Sequence, residues 1–160
     1  MKLEIREKEN VDINSLVNET LELMNHEIVI HGIKLITRLE NRPVFVQADR
    51  IQLQQVLLNF LRNSIDALDR VGPDDKRIEV TVTLVMDAVN VSVRDNGPGI
   101  DRSILEKLFT PFTTTNKTGF GIGLAVSRSI IENHKGEIKA VNIPEGGADF
   151  SFRLMTINNG

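Results

Sequence analysis

Apolar residues recur along this chain with two different periods, and the alternation of those periods predicts the order of its elements. A spacing of three and four positions indicates amphipathic helices at about 12–31, 50–70 and 121–134, and a short helix is expected at 101–108. Extended or strand segments are predicted at 33–40, 44–49, 78–84, 89–93, 137–142 and 148–155. Mostly antiparallel strands with helices at intervals predict an α+β fold, a two-layer α/β sandwich whose mixed sheet is covered by helices on one face.

The helix at 50–70 carries the clearest pattern. Its apolar stripe consists of Leu53, Leu57, Phe60, Leu61, Ser64, Ile65 and Leu68. A polar stripe on another face consists of Gln52, Gln55, Asn59, Asn63 and Asp66. The first stripe is expected to be buried. Glycine and proline at 72–73 are expected to end the helix.

Cap and turn residues predict where the other helices begin and end. Asn14 or Ser15 is expected to cap the first helix, and Gly32 is expected to end it. Gly136 is the expected end of the helix at 121–134. The residues placed at helical spacing in the first helix are Leu16, Thr20, Leu23 and Met24.

Composition limits the domain organisation and the partners. Residues 1–11 are highly charged and are interpreted as a linker or the end of an upstream helical domain, followed by one domain at 12–157. The net charge of -3 argues against nucleic acid as a partner. The absence of cysteine excludes disulfides and thiolate zinc sites. No signal peptide or membrane span is visible, so we expect a cytoplasmic domain without direct membrane contact, although a larger parent could be membrane-anchored.

The first of three candidate motifs, NFLRNSID, lies at 59–66. Asn59, Asn63 and Asp66 stand at i, i+4 and i+7, so their side chains project from one stripe of a helix. Amide oxygens are hard neutral ligands that suit a Mg²⁺ ion already bound to the phosphates of a nucleotide. The alternative is a solvated helix face, although two asparagines among strong helix formers need a reason.

The second motif, DNGPGI at 95–100, directly follows a predicted strand. The carboxylate of Asp95 is suited to accept a hydrogen bond from an exocyclic amine such as adenine N6. Gly97 and Gly99 permit positive φ and a close approach of the backbone to a flat ring. An ordinary Asx-Gly turn is the alternative, but the loop precedes a predicted helix and not a pairing strand.

The third motif, GFGIGL at 119–124, opens a helix after a threonine-rich segment at 110–118 that we expect to be a mobile loop. Alternate glycines at a helix N-terminus leave backbone amides free to hold phosphates. The dinucleotide fingerprint fails because Leu124 stands where it requires glycine, and the Lys-Ser/Thr of a P-loop is absent. A glycine-rich hinge is the alternative.

Together these motifs resemble the N, G1 and G2 boxes of the catalytic ATP-binding domain of sensor histidine kinases, a family that shares its fold with the gyrase, Hsp90 and MutL ATPases. LFTPF at 108–112 resembles the intervening F box, and SRSIIENHKGEI at 127–138 resembles the usual continuation. The resemblance covers about 12–154. The sequence at 110–136 is also similar to the oxygen- and nitrogen-sensing subgroup.

The resemblance implies ATP and Mg²⁺ as cofactors. Asn63 would bind Mg²⁺ and Asn59 would contact the phosphates or the metal shell, and both would be catalytic. Asp95 would bind the adenine amine, whereas a direct role for Asp66 is not expected. The other residues implied in ATP binding are Arg62, Gly97, Gly99, Ile100, Lys117, Thr118, Gly119, Phe120, Gly121, Gly123 and Leu124.

The residue at position 59 bears on the reaction. The gyrase-like hydrolases have a water-activating glutamate at the corresponding position, and an asparagine cannot act as a general base. The domain is therefore expected to hold ATP without efficient hydrolysis and to donate its γ-phosphoryl group elsewhere.

The resemblance also implies the partners. The expected acceptor is a histidine on a separate dimerisation domain of the same parent kinase, and a response regulator would receive the phosphoryl group next. None of the chain's own histidines fits the acceptor motif, and His134 is interpreted as a cation suited to the last turn of its helix. The alternatives are a stand-alone serine kinase of the anti-sigma type with the same fold, and a nucleotide-binding interaction module without transfer activity.

Overall fold

The computed structural model of the chain describes residues 7–71, 73–109 and 121–157. Its strands are β1 (Glu9–Asp12), β2 (Lys34–Arg38), β3 (Phe45–Ala48), β4 (Arg77–Val85), β5 (Ala88–Asp95), β6 (Glu137–Asn142) and β7 (Ala148–Met155). Its helices are α1 (Ile13–Ile30), α2 (Arg50–Val71), α3 (Arg102–Leu105) and α4 (Gly121–Asn133). The three long helices and all six predicted extended segments are confirmed, whereas α3 is shorter than the predicted 101–108. No helix in the described ranges is both long and apolar enough to cross a membrane.

Five strands form one mixed sheet in the order β2-β4-β5-β7-β6. Strand β2 pairs with β4 in parallel, and the other pairs in this sheet are antiparallel. Strands β1 and β3 form a separate antiparallel pair. The α+β fold class with a mixed, mostly antiparallel sheet is therefore confirmed. The carboxyl end of β5 lies in the middle of the sheet, which places Asp95 between β4 and β7.

The inner face of the sheet and α2 form the centre of the core. The register places Val93 between Val80 and Phe150, and all three side chains are buried. Phe60 of α2 stacks on Phe150 with ring centroids 5.6 Å apart and lies 6.2 Å from the ring of Phe152. All seven residues of the predicted apolar stripe of α2 are buried, which confirms that face of the helix.

Helix α1 begins with a different cap from the one predicted. Asp12 is the N-cap, because its Oδ1 accepts a hydrogen bond from Asn14 N at 3.1 Å and its Oδ2 accepts one from Ser15 Oγ at 2.9 Å. Asn14 instead donates from Nδ2 to backbone oxygens in the segment before β3. Gly32 ends the helix as predicted, with φ +67°. The four residues placed at helical spacing all lie in α1, where Leu16, Thr20 and Met24 are buried and Leu23 is 62% exposed.

Helix α4 also ends differently from the prediction. Lys135, and not Gly136, has the left-handed conformation, with φ +60°. Gly136 N donates to Ile131 O at 2.9 Å, which completes a Schellman-type end. A Cβ at Gly136 would lie 2.4 Å from Arg153 O, so glycine is needed there for close packing against β7.

The start of the chain differs from the expected linker or helix end within its described part. Residues Glu9–Asp12 form β1, which pairs with β3 along its whole length, and Val11 is fully buried. This strand is therefore part of the folded unit. The boundary between an upstream domain and the domain at 12–157 stays a prediction.

Candidate nucleotide site

Helix α2 brings the three sequence motifs together. Asn59 Nδ2 donates to Gly123 O, in the first turn of α4, and to Ser127 Oγ, both at 3.0 Å. Further along α2, the Ser64 hydroxyl lies close enough to the Asp95 carboxylate to lower the pKa of Asp95. The positions of the two groups do not satisfy the geometry of a hydrogen bond. Asn59 of the polar stripe thus contacts the third motif, and Ser64 of the apolar stripe lies beside Asp95 of the second motif.

Asp95 has one satisfied and one unsatisfied carboxylate oxygen. The residue is 5% exposed, and its Oδ1 accepts hydrogen bonds from Gly97 N at 2.9 Å and Ala148 N at 3.3 Å. Its Oδ2 is buried and has no hydrogen-bond partner among the described residues. Burial raises the pKa of Asp95, and these hydrogen bonds oppose that rise in part. A buried acceptor without a partner suits a ligand that brings a donor.

The loop after Asp95 is fixed to the start of β4. Arg77 N donates to Asn96 Oδ1 at 2.7 Å, and Asn96 Nδ2 donates to Asp75 O at 2.6 Å. A Cβ on Gly97 would lie 3.1 Å from Asp95 Oδ1, so a larger residue would press on the carboxylate. The absence of a side chain at Gly97 therefore preserves the position of the Asp95 carboxylate as well as the conformation of the loop.

Gly147, in the turn between β6 and β7, is a site residue that the sequence did not reveal. It has φ +101°, and a Cβ there would lie 1.9 Å from Asp95 O. The turn backbone can approach the end of β5 this closely only without a side chain. Two consecutive glycines predict a hairpin turn, but they do not show that the second lies against Asp95.

The two asparagines of α2 provide amide groups that fit a metal bound to phosphates. Both hydrogen bonds that Asn59 makes with described residues use Nδ2, so its Oδ1 is not engaged by them. Asn63 Nδ2 is buried without a hydrogen-bond partner in the described part of the chain. A half-turn of this amide would place Oδ1 there, since the two ends have nearly the same shape. Amide oxygens of this kind suit Mg²⁺, so the residues fit the ion.

Comparison with known proteins decides the family. A family described as histidine kinase-, DNA gyrase B-, and HSP90-like ATPase matches residues 48–157. The chain belongs to this family. It is 39% identical over 151 residues to the signal transduction histidine-protein kinase AtoS of Escherichia coli strain K12, covering 94% of this chain and 24% of AtoS. The chain spans about a quarter of the length of the curated relatives it matches.

Solved structures place the chain among histidine kinase catalytic domains. The catalytic domain of histidine kinase ThkA superposes with a TM-score of 0.83 at 33% identity, covering 94% of this chain and 96% of that one. A structure of ThkA in complex with response regulator protein TrrA matches with a TM-score of 0.80 at 31% identity, over 94% of this chain and 42% of that one. Full-length ShkA in complex with AMPPNP matches with a TM-score of 0.82 at 25% identity, over 98% and 32%. The expected family is confirmed, whereas the oxygen- and nitrogen-sensing subgroup stays a prediction.

The remaining predicted site residues of this histidine kinase domain lie in different surroundings. Ile100 is 5% exposed and Leu124 is fully buried, so both side chains belong to the core in this structure. Arg62 lines a depression between α1 and α2 together with Glu27 and His31, and Asp95 is not among the described residues that line it. Gly121 lies in α4 as predicted. The predicted loop at 110–118 and the residues Gly72, Lys117, Thr118, Gly119 and Phe120 lie outside the described residues.

His134 is not the helix-end cation that the sequence suggested. Its Nε2 accepts a hydrogen bond from Asp49 N at 3.0 Å, and its Nδ1 donates to Ile130 O at 2.7 Å. This pairing requires the neutral imidazole, since a protonated Nε2 cannot accept. Burial lowers the pKa of His134, in agreement with the neutral form. The cation assignment is therefore wrong, and the residue joins the end of α4 to the start of α2.

A cavity of about 230 Å³ on the outer side of the sheet is separate from this site. Its lining includes Ile36, Glu79, Arg94 and Asn96 but no described residue of α2 or α4. Asp95 also borders it, but Asp95 pairs with the fully buried Ile78 in the β4–β5 register, so its carboxylate faces inward. The cavity therefore does not offer the amide and carboxylate groups on which the nucleotide assignment rests.

Proposed function

We propose that this domain binds Mg-ATP and donates the γ-phosphoryl group to a histidine on a separate dimerisation domain of the same parent kinase. The phosphoryl group would then pass to a response regulator. The observation that carries the proposal is the Oδ2 of Asp95, which is buried without a hydrogen-bond partner among the described residues and can accept one hydrogen bond from the adenine amine. Asn59 and Asn63 belong to the same helix as Ser64, which lies near Asp95, and this supports base and phosphate recognition within one site.

The contributions of the chain's own residues follow from this arrangement. Asp95 orients the base, and Asn59 and Asn63 would hold the Mg²⁺ ion, which neutralises phosphate charge when bound. A bond would form between an imidazole nitrogen of the acceptor and the γ-phosphorus, and the bond from that phosphorus to the β,γ-bridging oxygen would break, releasing ADP. Asn59 cannot activate water as a general base, which favours transfer over hydrolysis.

The similarity to kinases supports the partners proposed here. ThkA has been solved with the response regulator TrrA, and ShkA has been solved with AMPPNP. Because the chain spans only about a quarter of its curated relatives, a separate acceptor domain agrees with their greater length. The test has two other possible outcomes, which are serine kinase activity of the anti-sigma type and nucleotide binding by an interaction module without transfer activity.

The test begins with nucleotide binding and continues with transfer. Calorimetric titration of the 160-residue chain with ATP and Mg²⁺ should show binding, and Asn63→Ala should abolish its dependence on Mg²⁺. Asn25→Ala changes an exposed asparagine of α1 and is the matched control. Unchanged affinity and Mg²⁺ dependence in Asn63→Ala would contradict the metal assignment.

Transfer is then measured by adding a separately made histidine-bearing helical domain and γ-labelled ATP. Acid-labile, base-stable label on that domain supports transfer to histidine. Acid-stable label on a serine of a partner would favour the serine kinase. Tight ATP binding with no label on any partner would leave only the interaction module.

A further inference from the structure

Asn142, the last residue of β6, holds the end of the DNGPGI loop through its side chain. Its Oδ1 accepts a hydrogen bond from Ile100 N at 2.7 Å, and its Nδ2 donates to Ile100 O at 2.7 Å. The amide therefore satisfies both backbone groups of one residue, as a neighbouring strand would in an antiparallel ladder. The two residues are 42 positions apart in the sequence, so the contact fixes the loop to an edge strand of the sheet.

The backbone conformation of Gly99 and its lack of a side chain accommodate this contact. Its φ is +82°, and a Cβ at that position would lie 2.9 Å from Asn142 Oδ1 and 3.3 Å from Gly147 O. The family resemblance implies that Gly99 takes part in ATP binding, but the atom that a side chain at this position would meet first is Oδ1 of Asn142. Glycine at this position therefore allows the loop to approach β6 closely enough for both hydrogen bonds.

The loop is consequently held at both ends by asparagine amides. At its start, Asn96 bonds the backbone at Asp75 and Arg77, and at its end Asn142 bonds the backbone of Ile100. Between them, Gly97 N donates to Asp95 Oδ1. That hydrogen bond occupies Oδ1, whereas Oδ2 has no partner in the part of the chain that the structure describes.

We propose that Asn142 is a positioning residue for nucleotide binding, which acts through the loop at 96–100 without touching the ligand. It holds the loop so that Gly97 N stays on Asp95 Oδ1 and Oδ2 stays available to the base. The proposal rests on the proposed function, since it assumes that Asp95 meets adenine. Without the Asn142 amide, the nucleotide must order the loop, and the free-energy cost of that ordering weakens binding.

The test compares Asn142→Ala with the unaltered 160-residue chain at a temperature where both are folded. We expect ATP affinity to fall about tenfold, which corresponds to about 1.4 kcal/mol. Amide hydrogen exchange should show lost protection at Ile100, while protection in β6 and β7 persists. Asn142→Asp keeps an acceptor for Ile100 N but has no donor at neutral pH, so an intermediate loss is expected. Asn25→Ala, in α1, is the control and should change neither measurement.

The outcomes separate this proposal from the proposed function. If the unaltered chain does not bind ATP, the proposed function fails first. If it binds ATP and Asn142→Ala binds equally well, the positioning role is wrong, whatever happens to exchange at Ile100. Loss of protection throughout β6 and β7 in both Asn142 variants would also overturn it, because Asn142 would then support the sheet and not the loop.

Discussion

Asp95→Asn changes the chemistry of the candidate base site with almost no change in shape. The retained oxygen can still accept hydrogen bonds from Gly97 N and Ala148 N, which lie 2.9 and 3.3 Å from Oδ1. The atom at the position of Oδ2 becomes an NH₂ donor and can reach toward the Ser64 hydroxyl. An adenine amine would then face a second donor, so the substitution removes one hydrogen bond and adds a repulsive contact.

The size of the expected loss of ATP affinity follows from the charge on Asp95. A hydrogen bond to a charged group contributes about 1.5–3 kcal/mol, and about 1.4 kcal/mol corresponds to a tenfold change in affinity. We therefore expect ATP to bind roughly 10- to 100-fold more weakly. The ligand-free variant should be more stable than the parent near pH 7, because the substitution removes a charge that burial disfavours.

The sign of the pH dependence follows from the raised pKa of Asp95. The folded chain binds the proton more tightly than the unfolded chain, whose carboxyl titrates near the ordinary value of 3.8. This group therefore lowers the free energy of unfolding as pH rises from that value through the folded pKa. Asp95→Asn should abolish that decline, which denaturant titrations between pH 4 and neutrality can follow.

Calorimetric titration with ATP and inosine triphosphate provides the decisive assay. Inosine carries a carbonyl oxygen where adenine carries the amine, so Asp95→Asn should lose affinity for ATP and gain relative affinity for inosine triphosphate. Asp149→Asn is the matched control, because it removes the same charge from a carboxylate that pairs with Arg94 and accepts from Ser92 Oγ. Equal ATP affinity in Asp95→Asn and the unaltered chain would refute the assignment of Asp95 to the base.

Three further predictions concern stability. Gly147→Ala should lower the free energy of unfolding by about 3–5 kcal/mol, since its Cβ would meet Asp95 O at 1.9 Å. Gly146→Ala, with φ +115° and no described atom within 4 Å of the added Cβ, should cost only about 1–3 kcal/mol of backbone strain. Equal losses in denaturant titrations would contradict this. The lowered pKa of His134 predicts full stability above about pH 6.5 and a decline as pH falls toward the folded pKa. His134→Gln should remove that decline. The same decline of the free energy of unfolding in this variant would exclude His134 as the cause. Phe60→Ala should cost about 3–5 kcal/mol, and a loss below about 1 kcal/mol would show that the core does not depend on this ring.

The elements that sequence could predict are those whose pattern is local. The apolar stripe of α2 is correct at every position because burial on one helix face imposes a spacing of three and four. The strands of the β6–β7 hairpin were predicted with the observed bounds because alternation and two glycines both act within a few residues. The parallel pairing of β2 with β4 has no such local signal, since it joins segments separated by β3 and α2.

The parts of the site that sequence missed depend on contacts between distant segments. Asn142 ends an ordinary edge strand, and only the fold shows that its amide meets Ile100. His134 looks like a surface cation at a helix end until Asp49 N is found against its Nε2. The same limit explains the cap of α1, where three polar residues within four positions compete and the segment before β3 decides which one caps.

The unsatisfied polar atoms of the candidate nucleotide site connect the proposed function of the domain with its stability. Asn63 Nδ2, Ser64 Oγ and Asp95 Oδ2 are all buried without hydrogen-bond partners in the described ranges. Each such atom costs about 1–3 kcal/mol, so a fold selected for stability alone would pair or remove them. Phe60 and Leu68 of the same helix are fully buried and belong to the core whose apolar burial opposes this cost. A nucleotide that supplies the missing partners should therefore stabilise the domain, by about 2.7 kcal/mol at a free concentration of 100 times its Kd.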